Sequence, residues 1–299
     1  MSPTRRRRGW IGRLVVLVLL VLLAWLVWEV ITWPDVRALA TKPPASTTFM
    51  ERHKDSERSA GRSPRAEWRW VPSSAISIHL KRAAVVAEDG GFFRHHGFNL
   101  EAVRGAISEN LRAGAYRRGA GTITMQLARN LYLGHERTLS RKAQEVVLAW
   151  VLEHLTGVSK ERLLEIYLNI VEWGPGVHGA AEATHYYFGR DPARLTPAQA
   201  LFLTTLLPAP NRWRSRFDKD GQLRAATRAQ MRFIGRAMAG KGWLDPASLP
   251  AAESLQVEIE GPARAVLFPE GAAQVVRSAA AGEAGRDSSV RLRDPRDSH

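Results

Sequence analysis

The sequence predicts a mostly α-helical protein, with one helical domain of roughly 170 residues behind a single N-terminal transmembrane helix. Three observations predict it. Apolar residues recur at three- and four-residue spacing from Ile76 to about Ala239. No alternating apolar run of comparable length argues for a strand. Near the N-terminus an apolar stretch, Leu14 to Trp33, follows a cluster of arginines. The 299 residues, 45% of them hydrophobic, suffice for one sizeable domain with extensions and are too few for two large ones.

The first element is the apolar stretch. Arg5, Arg6, Arg7, Arg8 and Arg13 precede it, and from Leu14 to Trp28 no residue is charged. About twenty such residues span the hydrocarbon core as a helix. Trp10 on one side, with Trp28 and Trp33 on the other, fits interfacial belts, and the arginines set the N-terminus in the cytoplasm with the rest of the chain outside. The competing reading is a cleaved signal peptide, for which Ala38-Leu39-Ala40 offers a site. The apolar run exceeds a signal's usual ~7–15 residues and ends well before that site, so an uncleaved anchor is the better reading. Residues 1–33 are therefore expected to form a basic tail and anchor.

Residues 34–70 are rich in Lys, Arg, Pro, Ser and Thr with weak periodicity and read as a juxtamembrane linker. Its basic residues either lie near anionic headgroups or are simply solvated. The helical domain is expected over 71–249. Ser74 or Ser77 starts its first helix, and Asn99 caps a second. A third runs from Thr122 to about Leu133, a long fourth from Leu139 or Ser140 through His154, and a fifth, capped by Ser159, to Asn169. Thr196-Pro197 opens another, with proline well placed in its first turn. Residues 250–299 lose this periodicity. A short strand or two is expected within Val257–Phe268, and disorder from Gly271 onward.

The net charge of +14 suggests an anionic partner, whether nucleic acid, an anionic membrane or a phosphorylated substrate. With no cysteine, disulfide frameworks and thiolate metal sites are excluded. Nucleic acid is excluded as partner if the domain lies outside the membrane.

Four segments carry candidate chemistry. EDGGFFRHHG, Glu88 to Gly97, is a turn between two helices that puts a carboxylate at the end of a packed helix. Shielded by Phe92 and Phe93, it would have a raised pKa and could act as a general base. Taken alone, EDGG reads more simply as a helix end with solvated acids. GAGTITMQLARN, Gly119 to Asn130, is a glycine-rich turn into a helix, able to hold an anion at the helix N-terminus and lacking the Gly-Lys-Ser/Thr of a Walker A loop. In RKAQEVVLAWVLE, Arg141, Glu145, Ala149 and Glu153 share one helix face. Val146, Val147, Leu148, Val151 and Leu152 cover much of the remaining circumference, so the helix reads as buried nearly all round and its charged stripe as lining a cleft. KERLLEIYLNIVEWG, Lys160 to Gly174, reads as scaffold, with Glu165 and Asn169 one turn apart.

In this order and spacing the four segments resemble the glycosyltransferase domain of the peptidoglycan polymerases, as found in bifunctional penicillin-binding proteins and monofunctional biosynthetic transglycosylases. The pattern E-D-x-x-F-x-x-H-x-G is complete in Glu88, Asp89, Phe92, His95 and Gly97. R-K-x-x-E-x-x-x-A-x-x-L-E is complete from Arg141 and Lys142 through Glu145 and Ala149 to Glu153. K-x-x-I-L-E-x-Y-L-N differs only at Leu163. The second pattern, G-G-S-T-I-T-Q-Q-L-x-K-N, departs most. Thr122, Gln126 and Asn130 are kept, while Ala120, Gly121, Met125 and Arg129 replace Gly, Ser, Gln and Lys. Thr122 and Thr124 are placed to make up for the lost hydroxyl. Tyr187-Phe188-Gly189 and Leu207-Pro208-Ala209-Pro210 extend the resemblance, which covers about Val71 to Trp213.

The resemblance implies a lysozyme-like, two-lobed helical domain whose donor is a glycan on undecaprenyl pyrophosphate and whose acceptor is lipid II. It implies catalytic roles for Glu88 and Glu145, with Glu88 the general base. Arg129, Arg137, Arg141 and Lys142 would stabilise the departing pyrophosphate, where cations lower the barrier. Glu145 would orient those cations or help hold a divalent cation, Mg or Mn. Asp89, Phe92, His95, Gly97, Thr122, Gln126, Asn130 and Glu153 would support the motifs. Expected partners are lipid II and the growing lipid-linked chain, membrane lipids, and other cell wall synthesis or division proteins. The expected location is the inner membrane, with the catalytic domain on the periplasmic side and a role in cell shape. A lytic enzyme of similar fold would leave the cation cluster without a task. An envelope scaffold would explain the anchor and charge but not the motifs. With neither S-x-x-K nor K-T-G, transpeptidation is not expected.

Overall fold

The computed structural model describes residues 13–14, 16–21, 36–64, 68–113, 121–134, 138–249, 251 and 254–269. It is mostly helical. In chain order the elements are α1 (Thr48–Ser59), α2 (Ile78–Glu88), α3 (Leu100–Ala113), α4 (Ile123–Tyr132), α5 (Leu139–His154), α6 (Lys160–Ile170), strands β1 (Glu172–Gly174) and β2 (Val177–His178), α7 (Gly179–Phe188), α8 (Pro197–Thr204), α9 (Ala225–Gly240) and α10 (Ala263–Leu267). The strands form one small antiparallel hairpin.

Local chemistry fixes the helix starts much as expected. Ser77 caps α2, Thr122 caps α4, Thr138 caps α5 and Ser159 caps α6, each hydroxyl accepting a first-turn backbone N–H. The Asn99 side chain accepts from Ala102 N at the start of α3. At α8 the Thr196 cap and Gln199 form a reciprocal capping box with Pro197 in the first turn. The core sits where α4 packs on α5 and α6, where α2 packs on α8 and α9, and where α6 packs on α7. Trp173, Tyr167, Tyr187, Phe92, Phe188 and Phe202 are its largest fully buried side chains.

Three expectations are corrected. The stretch read as a linker contains α1, capped by Thr47 and seated on α4 through buried Met50 and a Thr48 Oγ1 bond to the Leu131 carbonyl at 2.9 Å. The following residues are fastened to α6: Trp68 Nε1 donates to the Asn169 carbonyl at 2.6 Å, and the Asn169 amide exchanges two 2.9 Å bonds with Val71. Within Val257–Phe268 no strand forms. Leu255, Val257 and Ile259 are buried in alternation, but the segment has no ladder partner, docks on the Tyr187 carbonyl through the backbone of Glu260 and Gly261, and then enters α10. Finally, α5 is not buried all round, because Val147 and Trp150 are each more than 40% exposed.

Among the described residues no helix is long and apolar enough to cross a membrane. The expected span 14–33 falls largely outside them, as does the tail from Gly271. Residues 14 and 16–21 are helical with exposed apolar side chains.

Candidate active site

The carboxyl end of α2 delivers Glu88 and Asp89 to a turn through Gly90 and Gly91, and the two acids diverge. Asp89 is buried and faces inward. Both its oxygens lie 2.9 Å from His95 Nε2, and Oδ2 accepts from Ile123 N at 3.2 Å. A carboxylate at the amino end of α4 is favoured there by the helix dipole. Thr122 completes that helix start, accepting from Met125 N at 3.2 Å and donating to the Gly97 carbonyl at 2.7 Å. The start of α4 is therefore not a bare anion site, since the N–H groups of Ile123 and Met125 already bond to protein oxygens, and most of the glycine-rich turn ahead of it lies outside the described residues. The compensation expected of Thr122 and Thr124 is also corrected. Both hydroxyls donate to the protein, Thr124 to the Glu153 carboxylate. Glu153 pairs with Lys160 Nζ at 2.7 Å, and that ammonium sits 4.4 Å above the Phe92 ring. Phe92, Thr124 and Glu153 are thus one buried support, and Asn130 is buried in the same helix.

Glu88 faces an open cavity of about 800 Å³. Gln126 Nε2 donates to its Oε2 at 2.7 Å, and Tyr167 OH donates to Gln126 Oε1 at 3.1 Å. Desolvation holds the Glu88 pKa above the ordinary carboxyl value. The Gln126 bond and the Arg129 charge oppose that shift, and Asp89 adds to it. The expected shielding by Phe92 and Phe93 is not its source. Phe92 is in the core, and Phe93 lines a separate hollow with Ile78 and Trp243.

Arg129, Lys142 and Glu145 line the same cavity as Glu88. Glu145 is almost fully buried. One oxygen takes a bond from Arg141 Nη1 and the other from Lys142 Nζ at 2.8 Å. Desolvation, then repulsion from Arg129 and Arg141, lowers the Lys142 pKa, the mark of a cation among cations. The pocket thus places the shielded Glu88 carboxylate in one cavity with the Arg129 and Lys142 cations, which Asp89, Glu101 and Glu145 also line. Arg141 meets the cavity through Glu145, and Arg137 lies outside the described residues. With both Glu145 oxygens engaged by cations, and no group of three or more His, Cys, Asp or Glu ligands among the described residues, the side chains present do not fit a protein-held metal.

The segment that reads as scaffold in the sequence supplies Tyr167, whose bond to Gln126 no local pattern announces. The cap residue Asn99 also lines the cavity, as do Glu101, Ala102, Leu207 and Pro208, to which the sequence assigns no site role. The Leu-Pro-Ala-Pro stretch was the available signal for the last two.

The family model described as Transglycosylase matches residues 56–238. Among curated proteins, the chain is 42% identical over 208 residues to a biosynthetic peptidoglycan transglycosylase of Azoarcus sp. (strain BH72), covering 70% of this chain and 88% of that one. A protein of the same description from Paraburkholderia xenovorans (strain LB400) is 40% identical over 203 residues, covering 67% and 80%. One from Alcanivorax borkumensis is 44% identical over 168 residues, covering 56% and 65%.

Proposed function

The chain belongs to the monofunctional peptidoglycan transglycosylases, a family of glycosyltransferases, and on that premise we propose that it polymerises lipid II into β-1,4-linked glycan strands with release of undecaprenyl pyrophosphate, serving cell wall biosynthesis and cell shape. The observation that carries this reading is the placement of Glu88 in one cavity with Arg129 and Lys142.

In this mechanism Glu88 takes the proton of the acceptor's N-acetylglucosamine 4-hydroxyl. The oxygen's electron pair attacks C1 of the donor N-acetylmuramic acid. The α-linked C1–O bond breaks and its electrons leave with the pyrophosphate, so the new bond is β and the configuration inverts. A raised pKa makes Glu88 a stronger base than a solvated carboxylate, provided it is ionised at the working pH. Charge accumulates on the leaving group in the transition state, where Arg129 and Lys142 act on it. Glu145 and Arg141 hold Lys142 in place.

Two further features belong to the proposal. The domain is two-lobed and lysozyme-like, with the cavity between lobes. The run Leu14–Trp33 anchors it to the inner membrane with the domain on the periplasmic side, where lipid-linked substrate, anionic lipids and other wall-synthesis proteins meet it; the arginines ahead of that run support this topology. The test is incubation of the purified full chain with labelled lipid II. A ladder of glycan strands that lysozyme digests is the expected product, and intact lipid II beside an active relative would refute the reading.

A further inference from the structure

Glu88, Gln126 and Tyr167 come from three different helices, α2, α4 and α6, and meet in a line. Tyr167 is fully buried, and its hydroxyl is 3.1 Å from Gln126 Oε1. The opposite end of the amide is 2.7 Å from Glu88 Oε2. An amide can be turned either way, so something must decide which end faces the base. The reverse orientation would set an amide carbonyl against a carboxylate, acceptor against acceptor, in a desolvated recess where such a clash is costly. A phenol hydroxyl placed to donate to the carbonyl reinforces the productive orientation.

We infer that Tyr167 is a positioning residue for the reaction: through Gln126 it ties down Glu88 Oε2 and leaves Oε1 as the oxygen that receives the acceptor's proton. The inference rests on the reading of Glu88 as general base and deepens it. Tyr167 touches neither substrate nor the reacting atoms. It acts by fixing the Gln126 amide, which in turn fixes the carboxylate's rotation and supplies the donor that opposes desolvation. Other charged groups also face Glu88. These are Asp89, the residue that ends its helix, Arg129 from α4, Lys142 and Glu145 from α5, and Glu101 from α3. None of them is altered when the Tyr167 hydroxyl alone is removed.

The test uses the full chain and labelled lipid II. Tyr167→Phe keeps the buried ring and removes only the hydroxyl. It is expected to lower kcat about tenfold, the size of one lost hydrogen bond in a charged network, with KM within about twofold. The acid limb of the kcat/KM profile is expected to move to higher pH, because a misaligned amide no longer favours the carboxylate. Gln126→Met should move that limb in the same direction and further, and adding Tyr167→Phe to it should change nothing more. An unmoved acid limb in Tyr167→Phe, or independent effects that simply multiply in the double variant, would overturn the inference. A lower melting temperature with an unchanged pH profile would reduce Tyr167 to packing and overturn it equally. Glu88→Gln, run alongside, separates the two levels. If it is inactive while Tyr167→Phe is normal, only the positioning role fails. If it is active, the reading of Glu88 fails with it.

Discussion

The backbone of Gly97 lies against that of Ala149: a β-carbon on Gly97 would come within 3.2 Å of the Ala149 carbonyl, and Gly97 has φ +84°. The turn after Glu88 is thereby pressed onto α5, and the Gly97 carbonyl is left to accept from Thr122 at the start of α4. Two segments of the site are registered on a third by one residue without a side chain.

Gly97→Ala combines a left-handed backbone with a close backbone approach. It is expected to destabilise the fold by about 2–4 kcal/mol. Chemical denaturation of the purified variant checks this, and activity should fall further than the folded fraction does, since Thr122 and Glu88 sit on the displaced segments. Unchanged stability would mean that the contact is not a close one.

Glu145→Gln removes the charge that Arg141 and Lys142 share while keeping the side chain's size. Both cations then lose their common partner, and polymerisation and binding of inorganic pyrophosphate should weaken together, each by about 10-fold or more. Calorimetric titration with pyrophosphate beside the turnover assay is the check. A variant with lost turnover and normal pyrophosphate affinity would give Glu145 a role in the chemistry itself.

Much of this was legible in the sequence because it is locally encoded. Caps such as Thr122, Ser159 and Thr196 with Pro197 mark helix starts through contacts three residues away, and the motif order identified the family. What escaped was non-local. Helix α1 has few apolar residues in FMERHKDSERS, and its seat depends on Thr48 reaching Leu131, eighty-three positions on. The alternation through Leu255, Val257 and Ile259 was real, yet a strand also needs a partner edge, which composition does not reveal. The helix carrying Tyr167 was readable as scaffold, but its hydroxyl's partner is forty-one positions away.

His178, in β2 beside His53 with ring centroids 6.1 Å apart, is buried, and desolvation lowers its pKa to about 4. A histidine depressed in the folded state and ordinary in the unfolded state binds its proton first in the unfolded chain. Stability should therefore fall as pH drops from about 6.5 to about 4, by up to about 3 kcal/mol from this group. His178→Gln should flatten that part of the curve of melting temperature against pH. An equal slope in the variant would assign the acid sensitivity to other groups.

In the proposed mechanism Glu88 moves the proton. Glu88→Gln keeps the Gln126 contact within reach and leaves Arg129 and Lys142 untouched. Because desolvation raises the Glu88 pKa, the folded state loses stability as pH rises through the interval between the unfolded and folded values, so the neutral variant should melt higher than the parent at pH 7. The decisive measurement is the rate of lipid II polymerisation by folded Glu88→Gln against the parent, with pyrophosphate affinity measured on the same samples. A rate at least ~10²-fold lower, with pyrophosphate binding preserved, is expected. A folded variant that polymerises at near the parent rate would contradict the mechanism.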